Sequence, residues 1–279
     1  MGFLSKCVMV QGCSSSVGKS VLTAGLCRLY ARRGFRVAPF KAQNMAFPAY
    51  LPDGRAIAGS VVTQAEAACR EPESDMNPIL LRVAGEGVSE VFVQGRSIGL
   101  IPGHQYQADK GKFRPKVEES WRRLLASNDV VVIEGAGSPA EINLKKDDLV
   151  NMGMAKMAGA PVLLVGDIDR GGVFAALAGT LLLLDPEERD LVKGMVINKF
   201  RGDLSLLEPG LAMIENITGK PVLGVVRYFR SGLPEEDSLE VPAAPLTAEE
   251  RNERYDRLAD LLESSLDVAK LDQIVGVAR

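Results

Sequence analysis

The sequence predicts an α/β fold with a doubly wound, mostly parallel sheet. Short apolar runs that end in Gly, Asp or Asn alternate with stretches of helical character along the chain. Continuous apolar runs of this kind are typical of parallel strands that are buried on both faces. Hydrophobic residues make up 46% of the 279 residues, which is enough for a substantial core. A chain of this length fits one large domain or two small ones.

The predicted elements alternate between strand and helix in chain order. The first strand covers residues 6 to 11, and a helix from about Ser20 to Arg33 follows it, with Gly34 as its C-terminal cap. The second strand covers residues 36 to 40. Later strands are predicted in NDVVVIEGAGSP, with a core at residues 130 to 133, and in APVLLVGDID, GMVINKF and KPVLGVV.

The end of the chain has a different composition. The stretch SGLPEEDSLEVPAAPLTAEE is rich in prolines and acids. It predicts a linker at residues 233 to 246, between a domain at residues 1 to 232 and a helical tail at residues 247 to 279. Thr247 and Glu250 have the spacing of a capping box, which would begin the tail helix.

The tail helix, predicted over residues 247 to 275, carries an apolar stripe. Tyr255, Leu258, Leu262 and Leu266 recur at helical spacing. The stripe favours packing against the domain, and contact with a partner is the alternative.

Composition also limits the classes of function. The net charge of -3 provides no basic field for nucleic acid. No apolar run approaches the ~18 residues of a membrane span, and residues 1 to 11 lack a basic region and a cleavage signal, so we expect a cytoplasmic protein. Cys7, Cys13, Cys27 and Cys69 show no C-x-x-C pattern, and we expect no disulfides.

The stretch QGCSSSVGKSV resembles a phosphate-binding loop between the first strand and the first helix. The common spacing G-x-x-x-x-G-K-[ST] would need a glycine where Cys13 stands, and the nearest glycine is Gly12. The serines and Gly18 can turn backbone N–H groups toward phosphates, Lys19 can reach the β- and γ-phosphates, and Ser20 can bind magnesium. The alternative is a Ser/Gly-rich turn with an incidental lysine.

Two charged residues lie at the ends of predicted strands. Glu134 follows the strand at residues 130 to 133, where an acid faces the phosphates in an open α/β sheet, so it is the second candidate magnesium ligand. Its alternative role is to cap the next helix. Lys41 ends the second strand and can bind phosphate or a substrate carboxylate, or it is a solvated surface lysine.

Other strand ends carry polar side chains without a single interpretation. Asn198 ends GMVINKF, where its amide can bind a purine edge or form a turn. Asp167, Asp169 and Arg170 follow another strand and can form a local ion pair or hold substrate. His104 is the single histidine and has no evident partner in sequence.

Longer motifs occur in one order along the chain: QGCSSSVGKS, APFKAQNMA, DMNPILL, IEGAGSPAEINL, DLVNMGMA, DIDRGGVFA, INKFRGD and LPEEDSL. Over about residues 5 to 240 the chain resembles the ATP-dependent synthetase domain of the cobyric acid synthase family. This family is grouped with dethiobiotin synthetases and cobyrinic acid a,c-diamide synthases. Their phosphate loop has five residues between its glycines, which is the spacing of Gly12 and Gly18, so the resemblance implies a genuine P-loop NTPase fold of the dethiobiotin synthetase-like kind.

The resemblance implies ATP-dependent amidation of corrinoid carboxylates through an acyl phosphate, from cobyrinic acid a,c-diamide to cobyric acid, with ATP and Mg²⁺. The implied phosphate-binding residues are Gly12, Ser14, Ser15, Ser16, Val17, Gly18, Lys19, Ser20 and Val21. The implied catalytic residues are Lys19, Lys41 and Glu134, the implied metal ligands are Ser20 and Glu134, and Asn198 would bind adenine. The implied corrinoid-side residues are Gln43, Asn44, Asn143, Asp169 and Arg170.

Two features depart from the family pattern. Family members carry a glutaminase domain between the synthetase domain and a C-terminal tail, and in this sequence the tail-like stretch YDRLADLLESSLDVAKL follows the linker directly. In addition, family members have a Gly-Arg-x-Gln stretch after the substrate loop. In this sequence Ala58, Gly59 and Val61 stand in place of its Gly, Arg and Gln, whereas Gln64 is kept.

Two hypotheses of function follow. The first is an amide ligase for a corrinoid or another tetrapyrrole carboxylate, which uses free ammonia or a separate glutaminase subunit and forms a homodimer. The second is a catalytically reduced nucleotide- or corrinoid-binding homologue that acts as a partner or sensor. The stretch at residues 56 to 61, here called the altered stretch, favours the second hypothesis, whereas the phosphate loop and Glu134 favour the first. Because fold alone does not determine the substrate, a different carboxylate is a further alternative.

Overall fold

A computed structural model describes residues 6–230 and 246–277. The strands are β1 (Cys7–Gly12), β2 (Val37–Phe40), β3 (Gln43–Met45), β4 (Pro48–Tyr50), β5 (Ala56–Ala58), β6 (Ile79–Gly85), β7 (Val88–Val93), β8 (Arg96–Pro102), β9 (Val130–Glu134), β10 (Val162–Asp167), β11 (Val192–Phe200) and β12 (Val222–Arg227). The helices are α1 (Lys19–Arg32), α2 (Gly59–Ala67), α3 (Gly103–Asp109), α4 (Arg114–Ser127), α5 (Met152–Ala158), α6 (Val173–Leu183), α7 (Pro186–Leu191), α8 (Glu208–Thr218), α9 (Ala248–Ser265) and α10 (Val268–Val275).

The main sheet contains six parallel strands in the order β12-β11-β10-β1-β9-β2. This confirms the prediction of an α/β fold with a mostly parallel sheet. After β1, the chain adds β2 and β9 on one side and then β10, β11 and β12 on the other. The strand order therefore changes direction beside β1, and in open α/β sheets ligands bind at the carboxyl ends of the strands at such a point.

The side chains of the central strand alternate between two apolar layers. Cys7 and Met9 of β1 pack in one layer, which also contains Trp121 of α4. Val8 and Val10 pack in the other layer, together with residues of α1 and α9. Because both faces of the strand are covered, its sequence is continuously apolar and does not alternate with polar residues.

A smaller sheet, β3-β6-β7-β8, and a two-stranded pair, β4-β5, were not among the predicted elements. β3 has three residues, and most of β8 is exposed, so neither has the continuous apolar pattern that identifies a buried strand. β3 begins two residues after Lys41 and pairs in parallel with β6. The small sheet thus begins beside the carboxyl end of β2.

The tail contains two helices instead of the single one that was predicted. The capping box is confirmed, because the Glu250 backbone N–H donates to Thr247 Oγ1 over 3.1 Å and the Thr247 N–H donates to Glu250 Oε2 over 2.7 Å. α9 ends at Ser265, and the next two residues bridge to β12 through a Gly224–Leu266 pair and a bond from Asp267 N to Leu223 O. These strand-like contacts interrupt the helix.

The apolar stripe of the tail packs on the domain as predicted. Tyr255, Leu258 and Leu262 are buried in the layer that contains α1. The predicted linker at 233–246 and the motif LPEEDSL lie outside the described residues, except for residue 246. Within residues 6–230 and 246–277, no helix has the length and apolar character that a membrane crossing requires.

Candidate functional site

The phosphate-binding loop connects the end of β1 to the start of α1. A side chain at Gly12 would bring its Cβ within 2.5 Å of Val17 Cγ2 and 2.9 Å of the Ser14 carbonyl oxygen. Gly18 has φ +98° and directly precedes Lys19, the first residue of the helix. The longer spacing between the glycines therefore folds into a tight turn at a helix N-terminus, where backbone N–H groups and the helix dipole favour phosphate.

The Lys19 side chain joins this loop to the segment after β9. Its ammonium group donates to the Ser14 carbonyl over 3.3 Å and to the Gly137 carbonyl over 3.2 Å. Lys19 is 2% exposed, so its charge is held inside the loop. Ser14 and Ser15 are exposed, and Ser16 has φ +57° and accepts a hydrogen bond from Lys199 through its carbonyl.

Glu134 is the centre of a buried polar cluster that includes Ser20, Lys41 and Gln64. Ser20 Oγ donates to Glu134 Oε1 over 2.6 Å, and Lys41 Nζ donates to the same oxygen over 2.9 Å. Gln64 Nε2 donates to Glu134 Oε2. These contacts of Glu134 are all with side chains, so they do not cap a helix. Lys41 is fully buried and is therefore not a solvated surface residue.

The Glu134 carboxyl is charged despite its burial. Burial alone would raise the pKa of Glu134, but the Lys41 ammonium and the hydrogen bonds from Ser20 and Gln64 outweigh that effect and hold the pKa below its ordinary value. The cluster therefore places one carboxylate between the phosphate loop and the end of β2.

The side chains of Ser20 and Glu134 fit a magnesium ion. A hydroxyl and a carboxylate are hard oxygen donors, and Mg²⁺ in nucleotide sites takes its other ligands from phosphates and water. Among the residues that the structure describes, no group of three or more His, Cys, Asp or Glu side chains forms a metal site. A nucleotide-linked magnesium ion does not require such a group.

Asn198 lies against the phosphate loop and lines a cavity of about 440 Å³. Its Nδ2 donates to the Val17 carbonyl over 2.8 Å, and a Cβ at Gly18 would come within 2.3 Å of that nitrogen. Gly18 and Val21 also line the cavity, so the cavity opens directly beside the phosphate loop. Its volume lies in the ~300–1,000 Å³ range of small-molecule sites.

Asp169 and Arg170 line this same cavity rather than the region around Gln43 and Asn44. They follow β10, whereas Gln43 follows β2, and β9 and β1 lie between these two strands in the sheet. Three strand spacings of ~4.8 Å separate β10 from β2 by roughly 14 Å. Strand order thus separates residues that the resemblance grouped together. Asp169 also forms an ion pair with Arg201 over 2.9 Å.

Gln43 and Asn44 lie on the opposite side of the loop, next to Lys41. The Tyr106 hydroxyl donates to Gln43 Oε1 over 2.5 Å, and Asn44 Nδ2 donates to Ser60 Oγ over 3.1 Å. Ser60 belongs to the altered stretch at the start of α2. Asn143 is exposed in a short 3₁₀ turn, and its side chain has no hydrogen bond to another residue within 6–230 and 246–277.

The altered stretch is a structural part of this side of the site. Ala58 and Val61 are fully buried, and the Ala58 N–H donates to Asn77 Oδ1 over 3.0 Å. A Cβ at Gly59 would have no atom within 4 Å. The chain therefore has open space at the position where the resemblance implies an arginine.

Several contacts at the site were not predicted from the sequence. Gln64 donates a hydrogen bond to Glu134, and nothing local in QAEA indicates that contact. The Lys199–Asp167 pair, at 3.1 Å, and the cavity wall from Tyr228 and Phe229 join residues that are far apart in sequence. The hydrogen bond from Tyr106 to Gln43 joins α3 to β3, two elements that are about 60 positions apart in the chain.

A family model gives the decisive comparison. The model described as "CobQ/CobB/MinD/ParA nucleotide binding domain" matches residues 8–238. The chain belongs to this family. The matched region includes the phosphate loop, Glu134 and Asn198, so nucleotide binding is a property of the family to which these residues belong.

Curated relatives are similar over most of this chain. A cobyric acid synthase from Desulforudis audaxviator is 57% identical over 237 residues, which cover 84% of this chain and 48% of the relative. One from Sorangium cellulosum is 57% identical over 83% of this chain and 45% of the relative. One from Ruminiclostridium cellulolyticum is 52% identical over 85% of this chain and 46% of the relative. The chain spans about half the length of the curated relatives it matches.

Solved structures are more distant. The signal recognition particle receptor FtsY from Elizabethkingia anophelis, in complex with GDP, has 16% identity and a TM-score of 0.47, with 91% of this chain and 64% of the receptor chain covered. The MinC:MinD cell division complex of Aquifex aeolicus has 14% identity and a TM-score of 0.44, over 92% of this chain and 96% of that chain. Similarity as distant as this is not evidence about the site.

Proposed function

We propose that the chain catalyses the ATP-dependent amidation of carboxylates on a corrinoid, of the kind that converts cobyrinic acid a,c-diamide to cobyric acid. The curated relatives named cobyric acid synthase support this substrate class. The single observation that carries the proposal is the buried Glu134, which joins Ser20 of the phosphate loop to Lys41 at the end of β2. This contact connects a nucleotide side to a second, substrate side.

The proposed reaction has two steps. A corrinoid carboxylate oxygen attacks the γ-phosphorus of ATP, so that the acyl phosphate forms and ADP leaves. Ammonia then attacks the acyl carbon, phosphate leaves, and loss of a proton gives the amide. A carboxylate is a poor electrophile and an acyl phosphate is a good one, so the first step makes the second one feasible.

The residues around the phosphate loop would hold two anions close together. Residues Gly12 to Val21 would bind the phosphates through backbone N–H groups and the Lys19 ammonium. Lys41 would offset the charge between the γ-phosphate and the incoming carboxylate. Ser20 and Glu134 would hold Mg²⁺, which neutralises phosphate charge when it is bound. The five-residue spacing between Gly12 and Gly18 supports our assignment to the dethiobiotin synthetase-like subtype.

The two sides of the loop would bind different molecules. Asn198 would bind the adenine edge, because its amide lies at the cavity beside Gly18. We assign Asp169 and Arg170 to this nucleotide side, because they line the same cavity. Gln43, Asn44 and Asn143 would lie on the corrinoid side, together with Lys41.

The test is phosphate release from magnesium-ATP by the purified chain. It is measured with and without cobyrinic acid a,c-diamide, and with ammonium or glutamine as the nitrogen source. We expect turnover that needs both the corrinoid and ammonium, with glutamine inactive unless a separate glutaminase subunit is added. ATP binding without turnover under all these conditions would refute the ligase and favour a binding role.

The Lys19→Ala variant tests the site within the same assay. Removal of the ammonium group should abolish turnover, because no other side chain of the loop carries a positive charge. The control is circular dichroism, which should show an intact fold. An unaffected rate would refute the assignment of the phosphate loop. Light scattering of the same sample tests the expected homodimer.

A further inference from the structure

The cavity beside Asn198 has a wall that comes from the tail. Leu258 and Leu261 of α9 line the cavity together with polar residues at the carboxyl ends of β10 and β11. Val21 and Leu22 of α1 extend this apolar side toward the phosphate loop. One side of the cavity is therefore apolar. Its two leucines from α9 lie about 60 positions beyond Asn198 in the chain.

α9 is held firmly in this position. A Cβ at Gly25 of α1 would lie 2.5 Å from Leu262 Cδ1 and 3.0 Å from Leu258 Cγ, so the two helices are in close contact. Arg28 of α1 donates to both carboxylate oxygens of Asp256, at 2.8 and 2.9 Å. The Asp267 N–H donates to the Leu223 carbonyl over 2.7 Å and fixes the end of α9 to β12.

The two leucines differ in how much they contribute to the core. Leu258 is 1% exposed and belongs to the core layer on that face of the sheet. Leu261 is half-buried and packs against that layer without being one of its buried residues. Its remaining apolar surface is directed to the cavity that it lines. Leu261 can therefore be changed with little effect on the core.

We infer that α9 completes the base-binding pocket of the nucleotide site, with Leu258 and Leu261 as the apolar surface against which a purine ring lies. A purine has a flat apolar face and polar edges. The cavity offers leucines for the face, Asn198 for an edge, and the phosphate loop at its inner end. Burial of the ring face against leucine provides base affinity without hydrogen bonds. This inference rests on the proposed nucleotide site.

The experiment separates the base from the phosphates. Calorimetry measures the affinity of the full chain, in the presence of Mg²⁺, for ATP and for inorganic tripolyphosphate, which lacks the base. For Leu261→Gln we expect the Kd of ATP to increase about tenfold, which corresponds to ~1.4 kcal/mol of lost apolar contact. The Kd of tripolyphosphate should stay unchanged, because the phosphate loop is not altered.

Two further variants serve as controls. Leu182→Gln makes the same change at a leucine of α6 that is 76% exposed, and should leave both affinities unchanged. Leu261→Met keeps an apolar side chain and should restore most of the ATP affinity. If Leu261→Gln binds ATP as tightly as the unmodified chain does, the inference is wrong and the proposed function stands. If the unmodified chain binds neither ATP nor tripolyphosphate, both are wrong.

A second measurement uses the unmodified protein. Photolabelling with 2-azido-ATP attaches the base to the residues that surround it, and peptide mapping then locates the label. We expect label on the peptide that contains residues 258–261. Label confined to peptides of residues 6–230 would overturn the role of α9, whatever the effect of the variants on folding.

Discussion

At the residue scale, the Lys41–Glu134 pair is the most demanding feature of the molecule. The two side chains are 1% and 0% exposed, and their charged atoms lie 2.9 Å apart. Transfer of both charges from water into the interior costs free energy. This cost is offset only when the pair has close, well-aligned contact and further hydrogen bonds. Ser20 and Gln64 provide those bonds. The pair is therefore better explained by a function at the site than by stability.

Glu134→Gln should lower the free energy of unfolding by about 3–5 kcal/mol, because the Lys41 ammonium would remain buried without its carboxylate partner. Urea unfolding followed by circular dichroism measures this change. The double variant Glu134→Gln with Lys41→Met removes both charges and should recover most of the loss. A Glu134→Gln chain as stable as the unmodified one would show that the pair is not buried in solution.

At the element scale, the contact between α1 and α9 decides where the tail lies. Gly25 allows the two helix backbones to approach closely. Around this contact, Arg28 pairs with Asp256, and Arg32 pairs with Asp260 over 2.6 Å. The apolar contact provides most of the stabilisation, whereas partly exposed ion pairs contribute little and mainly orient the helices.

Gly25→Ala should destabilise the protein by about 1–3 kcal/mol, although alanine favours helix formation, because the new methyl group would overlap Leu262. The matched control is Gly179→Ala in α6, where a Cβ has no atom within 4 Å. That variant should gain up to ~1 kcal/mol from helix propensity. Thermal or urea unfolding of both variants checks the pair. Stabilisation by both changes would contradict the close packing of α9 on α1.

The Arg28–Asp256 pair predicts a pH dependence of the tail. The hydrogen bond from Arg28 holds the pKa of Asp256 below its ordinary value. The stability from this pair is therefore present above the unfolded pKa of ~3.9 and is lost as the pH falls through the lower, folded pKa. Asp256→Asn should cost less than about 1 kcal/mol at pH 7, since Asp256 is 45% exposed.

The measurement is urea unfolding of the unmodified chain and of Asp256→Asn at pH 7, 5 and 3. The difference in unfolding free energy should be similar at pH 7 and 5 and should shrink at pH 3. Arg28→Met removes the other partner and should abolish the same pH-dependent component. A difference that grows toward low pH would contradict the direction of the Asp256 pKa shift.

At the scale of the whole molecule, one sheet connects two apolar layers. The tail residues Tyr255, Leu258 and Leu262 belong to the layer that also contains α1. Trp121, the single tryptophan, belongs to the opposite layer and is 5% exposed. Because the strands between them contribute side chains to both layers, we expect the described parts to unfold in one cooperative transition.

Leu262→Ala should lower the unfolding free energy by about 2–5 kcal/mol, because Leu262 is fully buried and its loss leaves a cavity. The change should shift the transition seen by Trp121 fluorescence as much as the transition seen by far-UV circular dichroism. Leu182→Ala, at an exposed leucine, should shift neither. A Trp121 transition that is unaffected by Leu262→Ala would mean that the tail unfolds separately from the sheet.

Features that depend only on neighbouring residues could be predicted from the sequence. Continuous apolar runs identified the strands of the main sheet, because strands covered on both faces have no polar side. The phosphate loop and the Thr247–Glu250 capping box were also recognisable, since each is built from residues within one short segment. Glu134 and Lys41 were identified from their position at strand ends, although not their mutual contact.

Contacts between distant residues could not be predicted from the sequence. Strand order placed Asp169 and Arg170 beside Asn198 and away from Gln43, and no local pattern encodes strand order. Three further features depend on residues far away in sequence. They are the burial of Lys41, the contact of Gln64 with Glu134, and the break of the tail helix at Leu266. Burial and pairing arise from packing between elements, whereas secondary structure and turns arise mainly within them.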